Sequence, residues 1–229
     1  TVPKTSSVSK LKICLVSDLH LSSGTYMRQV RKLVKTVNDT HYDLVCFAGD
    51  VFDENTPDAL MNRSLQEFKN MKSTYGTYWI SGNHEYYGKH TDFTVFEKYN
   101  IHFLKNTYET VDNTFNIVGF TDKTSHDHYE INKVIEGMDT SLPTITLDHN
   151  PERFDQHTYF TDLQLSGHTH NGQIFPGNII LHYYYQNSYG LSHYKNHYLL
   201  VSAGYGSWGF PFRLGTQCEY DTIYLTMRK

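Results

Sequence analysis

The chain has 229 residues, 38% of them apolar and 19% charged, with a formal net charge of -4, fourteen histidines and three cysteines. A chain of this length buries roughly 70% of its unfolded surface and needs no disulfide framework. Its slight acidity argues against nucleic acid as the main partner, because a phosphate-tracking surface needs clustered Lys and Arg.

The chain opens on a polar segment, 1–10 (TVPKTSSVSK), without an initiator Met, as expected of a segment that follows a removed signal or anchor. Residues 12–16 (KICLV) and 44–48 (LVCFA) are apolar runs of the kind buried on both faces of a sheet, and they make Cys14 and Cys46 buried free thiols. Between them Val30, Leu33, Val34 and Val37 form one helical stripe, which completes a β-α-β unit. A second helix starts near Thr56-Pro57 and turns Met61, Leu65, Phe68 and Met71 inward before a strand at 77–80. A helix at 92–99, strands at 102–104 and 115–120, and a helix carrying Ile131, Val134, Ile135 and Met138 follow. Strands at 144–147, 163–165, 197–203 and 222–226 complete an α/β pattern with a mixed sheet or two packed sheets, read as one domain over 1–229. No apolar run approaches the roughly 20 residues that a membrane span needs.

Five polar clusters stand just after expected strands, where open α/β sheets place their ligands. They are Asp18-Leu19-His20, Gly49-Asp50-Val51-Phe52-Asp53, Gly82-Asn83-His84-Glu85, Asp148-His149-Asn150-Pro151 and Gly167-His168-Thr169-His170. With fifteen Asp and fourteen His in the chain, about one Asp-x-His arises by chance, and Asp39-Thr40-His41, ahead of a strand, reads as such a decoy. Gly-His-x-His and Gly-Asn-His are each expected only about 0.06 times by the same arithmetic. His168 and His170 are two apart, so an extended segment projects both rings to one side. Asp50 has two oxygens with which to bridge a pair of cations, and Asn83 offers a neutral one. Oxygen and imidazole donors without thiolate suit Mn, Fe, Zn or Mg, and two such ions would clamp a phosphoryl group for in-line displacement.

In order, these clusters resemble the signature of the calcineurin-like metallophosphoesterases: D-x-H, GD-x-x-D, GNHE, a lone His and GH-x-H. The stretches DLQLSGHTHNGQIFP and VSAGYGSWGFPFRL look like the bacterial membrane-associated branch of that family, whose members carry N-terminal anchors or export signals. The resemblance implies a four-layer α/β/β/α sandwich with two mixed sheets. It implies a first metal held by Asp18, His20, Asp50 and His170 and a second held by Asp50, Asn83, His149 and His168. It makes His84 the general acid or electrostatic stabiliser and Asp53 its orienting carboxylate. The implied cofactors are two divalent ions, Mn ahead of Zn, Fe or Mg. The implied reaction is hydrolysis of a phosphate ester, a phosphodiester or pyrophosphate ahead of a monoester, by a metal-bridging hydroxide. The alternative is a non-catalytic metal-binding scaffold of the same fold. The expected substrate is lipid-linked or nucleotide-like, with membrane-surface contact and a membrane-associated or exported bacterial location. Asn171 departs from the branch, which places Gly after GHTH.

Other features carry blander readings. His126-Asp127-His128 falls in a polar loop, and Gly204-Tyr205-Gly206-Ser207-Trp208-Gly209 fits G-x-G-x-x-G but is followed by Phe210-Pro211-Phe212, so no helix can open there and the motif reads as a loop beside the metals. Arg213 reads equally as a phosphate contact or a surface ion pair. The aromatics Tyr183-Tyr184-Tyr185, Tyr189, Tyr205, Trp208, Phe210 and Phe212 read as sheet packing, with an amphipathic rim toward a lipid surface as the sharper reading.

Overall fold

The computed structural model describes residues 1–22, 26–88 and 93–228. Two six-stranded mixed sheets face each other. In the first, β2 (Lys10–Val16), β3 (Leu44–Ala48), β4 (Thr77–Ile80) and β5 (Ile101–Phe103) run parallel. On the other side of β2, the antiparallel β12 (Asp221–Arg228) is followed by β1 (Val2–Thr5), parallel to it. In the second, β7 (Phe115–Gly119), β8 (Thr144–Leu147), β9 (Leu163–Ser166) and β11 (His197–Val201) are parallel, edged by antiparallel β6 (Thr107–Val111) and β10 (Gly190–Tyr194).

Strand alternation builds the layers. Leu11, Ile13 and Leu15 of β2 point between the sheets to meet Phe115, Ile117, Ile145, Leu147 and Leu165. Cys14 and Val16, on the other face, join Phe47 and Trp79 under the buried stripe Val30, Leu33, Val34 and Val37 of α1 (Met27–Thr40) and Leu60, Leu65 and Phe68 of α2 (Asp58–Phe68). Each such side chain contributes roughly 1.5–3 kcal/mol when fully buried. On the far side Val118 and Phe120 pack against Val134, Met138 and Phe160. The order is helix, sheet, sheet, helix, as the family resemblance implies. Burial raises the Cys14 thiol to about 12 and the Cys46 thiol well above its ordinary value, so both stay protonated packing residues.

Several expectations are corrected. The segment 93–99 is a 3-10 helix, not an α-helix, and Asp92 lies outside the described residues. The helix at 131–138 shortens to Ile131–Val134, with Gly137 at φ +79° beyond it. The polar opening segment contains β1, whose Val2 is fully buried. Tyr183 and Tyr184 are not sheet residues: they end a helix, α6 (Gly177–Tyr184), and stand 86% and 79% exposed.

A buried acid opens β12. Burial lifts the Asp221 carboxyl to about 6, with Glu219 adding to the rise and the Ser202 hydroxyl opposing it, and its Oδ2 has no hydrogen-bond partner. A folded-state pKa above the unfolded one favours the protonated form. The fold therefore loses stability as pH rises from the unfolded value through about 6. Asp221→Asn should stabilise the chain by about 1–2 kcal/mol at pH 7.5, after discounting for partial exposure, and hardly at all at pH 4. Thermal melts at the two pH values check it.

Candidate metal centre

The loops after β2, β3, β4, β8 and β9 converge at one end of the sandwich and bring all seven candidate ligands together. Ligand atoms of Asp18, His20 and His170 lie within 4.8 Å of one another, as do those of Asp50, His149 and His168. Asp50 Oδ2 stands 3.1 Å from His149 Nε2 and 4.0 Å from His20 Nε2, so the carboxylate faces both groups. His168 Nδ1 and Asn83 Oδ1 approach to 2.9 Å.

The backbone at this end is unusual for non-glycine residues. Asp18, His20, Asp50, His168 and His170 all have φ between +49° and +72°. Left-handed conformations cost of order 1–3 kcal/mol each and persist only where surroundings enforce them. The enforcing bonds are visible: Asp18 N donates to Gly49 O at 3.0 Å, His20 N to Asp50 O at 3.1 Å, and His168 N to both Asp18 carboxylate oxygens at 3.1 Å. A Cβ at Gly167 would come 2.2 Å from Asp18 Oδ2, so a side chain cannot enter there. Asn171 is also left-handed (φ +47°), which explains why glycine suits that position and why Asn, tolerant of this region, can replace it.

Ring tautomers follow from the acceptors around them. His149 Nδ1 donates to Ala48 O at 2.7 Å, which turns Nε2 toward Asp50 Oδ2; burial opposes the charge, but the Asp50 and Asp18 carboxylates hold this imidazole well above its ordinary value. His20 Nδ1 donates to Asp53 Oδ1 at 2.6 Å, and its Nε2 is hydrogen-bonded to His170 Nε2 at 2.9 Å; burial opposes the charge, but Asp53 and Asp50 raise this imidazole above its ordinary value. Burial pushes His170 down to about 4 and lowers His168, so both imidazoles are neutral near pH 7. Burial would raise Asp18 and Asp50, but the facing histidines hold both carboxyls below their ordinary value. Carboxylates, an amide oxygen and imidazole nitrogens converging in a buried site are a donor set for divalent cations.

His84 sits beside this set, buried, with Nδ1 2.9 Å from Glu54 Oε2 and 3.4 Å from Asp53 Oδ1. Asp53 thus lies beside His84 as expected, with Glu54 the closer carboxylate, and Asp53 makes its shorter contact with His20. Both acids lie in the loop after β3, where no sequence periodicity fixes which carboxylate turns which way. The sequence points to no role for Glu85. Its carboxylate accepts the N–H groups of Asp50, Val51, Phe52 and Gly82 at 2.7–3.0 Å and so shapes the loop that presents Asp50. Burial, reinforced by Asp50, raises it to about 7.

Residues 203–213 pack under the first ligand cluster. Tyr205 N and Gly206 N donate to Ser17 O and Asp18 O, each at 2.8 Å, and a Cβ at Gly206 would lie 2.1 Å from Leu19 O. Arg213 is neither a free phosphate contact nor a surface ion pair. Its guanidinium donates to Ala203 O and Gly206 O at 2.7 Å and His170 O at 3.0 Å, and reaches His170 Nδ1 at 3.1 Å.

Residues 11–172 match the family model for calcineurin-like phosphoesterases. The chain belongs to that family. Membership makes the domain a metallophosphoesterase, a class of phosphoric ester hydrolases. It is 34% identical over 224 residues to an uncharacterized metallophosphoesterase of Helicobacter pylori, covering 94% of this chain and 60% of that protein. It is 29% identical over 242 residues to a bovine transmembrane protein with metallophosphoesterase domain, covering 96% and 54%. The chain thus spans little more than half the length of these relatives. Among solved structures it resembles phosphopantetheinyl hydrolase of Mycobacterium tuberculosis, with a TM-score of 0.52, 14% identity and coverage of 89% and 90%, a likeness of fold.

Proposed function

We propose that this metallophosphoesterase domain hydrolyses phosphate esters with two divalent metal ions. The observation that carries the reading is the pair of donor sets meeting at Asp50, whose Oδ2 lies 3.1 Å from His149 Nε2. Asp18, His20, Asp50 and His170 would hold one ion and Asp50, Asn83, His149 and His168 the other. Such ions, Mn ahead of Zn, Fe or Mg for this donor set, supply Lewis acidity at phosphoryl oxygens and make water acidic enough to attack near neutral pH.

The chain's own groups do the rest. His84, with Nδ1 tied to Glu54, keeps Nε2 available to place a proton on the leaving oxygen. Asp53 and Ala48 O orient His20 and His149 by accepting from their Nδ1 atoms. Because Arg213 is spent on carbonyl oxygens and His170, it cannot neutralise the second charge of a terminal phosphate, which favours a phosphodiester or pyrophosphate over a monoester.

A membrane-associated or exported setting, with a lipid-linked or nucleotide-like substrate, is the finer reading. It is supported by the exposed Ile179, Ile180, Tyr183 and Tyr184 of α6 and by the lack of any Asp, Glu, Lys or Arg between 163 and 194. No described helix is long and apolar enough to cross a membrane. The central test is elemental analysis with rates on paired aryl monoester and diester substrates after reconstitution with Mn, Zn, Fe or Mg. About two ions per chain and faster diester cleavage are expected. Tight metal binding without any hydrolysis would instead leave the scaffold reading.

A further inference from the structure

Two exposed aromatic side chains flank His84. The Trp208 ring lies 5.7 Å from the His84 ring at 61°, and the Tyr87 ring 5.2 Å away at 74°, yet Trp208 is 54% and Tyr87 59% exposed. The Trp208 backbone is held at both of its polar groups. Its N–H donates to Gln173 Oε1 at 2.8 Å, and Gln173 Nε2 donates to Trp208 O at 2.8 Å and Phe210 O at 3.3 Å. Gln173 is itself buried, left-handed at φ +43°, and three residues beyond the ligand His170, so the segment that carries the metal donors also positions the indole. Residues 196–212 contain no Asp, Glu, Lys or Arg. A solvent-facing indole on a backbone held at both polar groups, in a loop without charged side chains, offers a flat surface for the face of a ring.

We propose that Trp208, with Tyr87, forms the leaving-group subsite, selecting phosphodiesters whose leaving oxygen bears a ring. The proposal rests on the hydrolase reading above and names its substrate class. Because the indole is one ring contact from His84, the group that meets it is the one bonded directly to the oxygen that His84 protonates. An aryl ring and a sugar ring share the required flat, weakly polar face.

The test uses non-hydrolysable ester analogues, methylphosphinates in which a methylene group replaces the leaving oxygen and carries a phenyl, glucosyl or ethyl group, bound to the metal-reconstituted protein and followed by calorimetry. Trp208→Ala should reduce the phenyl-to-ethyl or glucosyl-to-ethyl affinity ratio about fivefold to tenfold, and Trp208→Phe should restore the aryl ratio. A change confined to phenyl or to glucosyl identifies the ring as aryl or sugar. The chain has two tryptophans and Trp79 is fully buried, so the ring analogues should also quench an exposed emission that Trp208→Phe removes. Equal loss for all three analogues, or none, overturns the subsite while leaving the hydrolase reading intact. Failure of every analogue to bind the wild-type protein overturns both.

Discussion

Replacing His84 with alanine is expected to lower turnover on an aryl phosphodiester about 10²–10⁴-fold, the usual contribution of a positioned acid, while the ion content stays at two per chain. Alanine keeps the backbone N–H that donates to Asp50 Oδ1 at 2.8 Å, so the Asp50 loop retains its shape. What disappears is the imidazole whose Nδ1 is tied to Glu54. Glu54→Gln should fall between the wild type and His84→Ala, because the amide can still meet the ring but cannot stabilise its charged form. The discriminating measurement is metal content beside the rate. Ligand atoms of His20, Asp50 and His84 also lie within 4.8 Å of one another, and loss of an ion in His84→Ala would make this histidine a ligand.

A larger effect is expected at Asp50. Asp50→Ala should reduce the ion content from about two to below one per chain and bring activity to background, because this carboxylate belongs to both donor sets. Its two oxygens have separate duties: Oδ1 accepts the His84 N–H, and Oδ2 faces His149 Nε2 and His20 Nε2. Without it, the His149 and His20 rings lose the carboxylate that both approach. Elemental analysis checks the ion content, and circular dichroism should show the sheets retained.

The site was legible in the sequence where a ligand cluster directly follows a buried strand. β2 and β3 carry apolar runs and β4, β8 and β9 are short strands buried throughout, and the polar residue after such a strand lies at the sheet's carboxyl edge, which located Asp18, Asp50, Asn83, His149 and His168 together. Contacts made by long side chains within a loop were not legible. Asp53 and Glu54 are neighbours, and only the folded loop decides that the first turns to His20 and the second to His84. Arg213 reads as a surface cation until the chain bends it inward onto three carbonyls. The edge strands β1, β6 and β10 lack a continuous apolar run because one flank of each is open. The aromatic run at 183–185 has strand-forming residues but lies at the end of a helix, where exposure and not pairing governs it.

The candidate ligands come from both sheets, with a consequence beyond chemistry. Asp18, His20, Asp50 and Asn83 follow strands of the first sheet, whereas His149, His168 and His170 follow strands of the second. Protein bonds already cross the gap, from His149 to Ala48 O and from His168 to Asp18. Cations bound there would act as a clasp across the open end of the sandwich, and the spacing between the sheets would set the spacing of their donors. A substitution deep in the apolar layer, such as at Ile13 or Ile145, would then register as altered metal affinity long before it unfolded the chain. In this architecture the end that carries the candidate ligands would serve as a gauge of how well the two halves of the core fit.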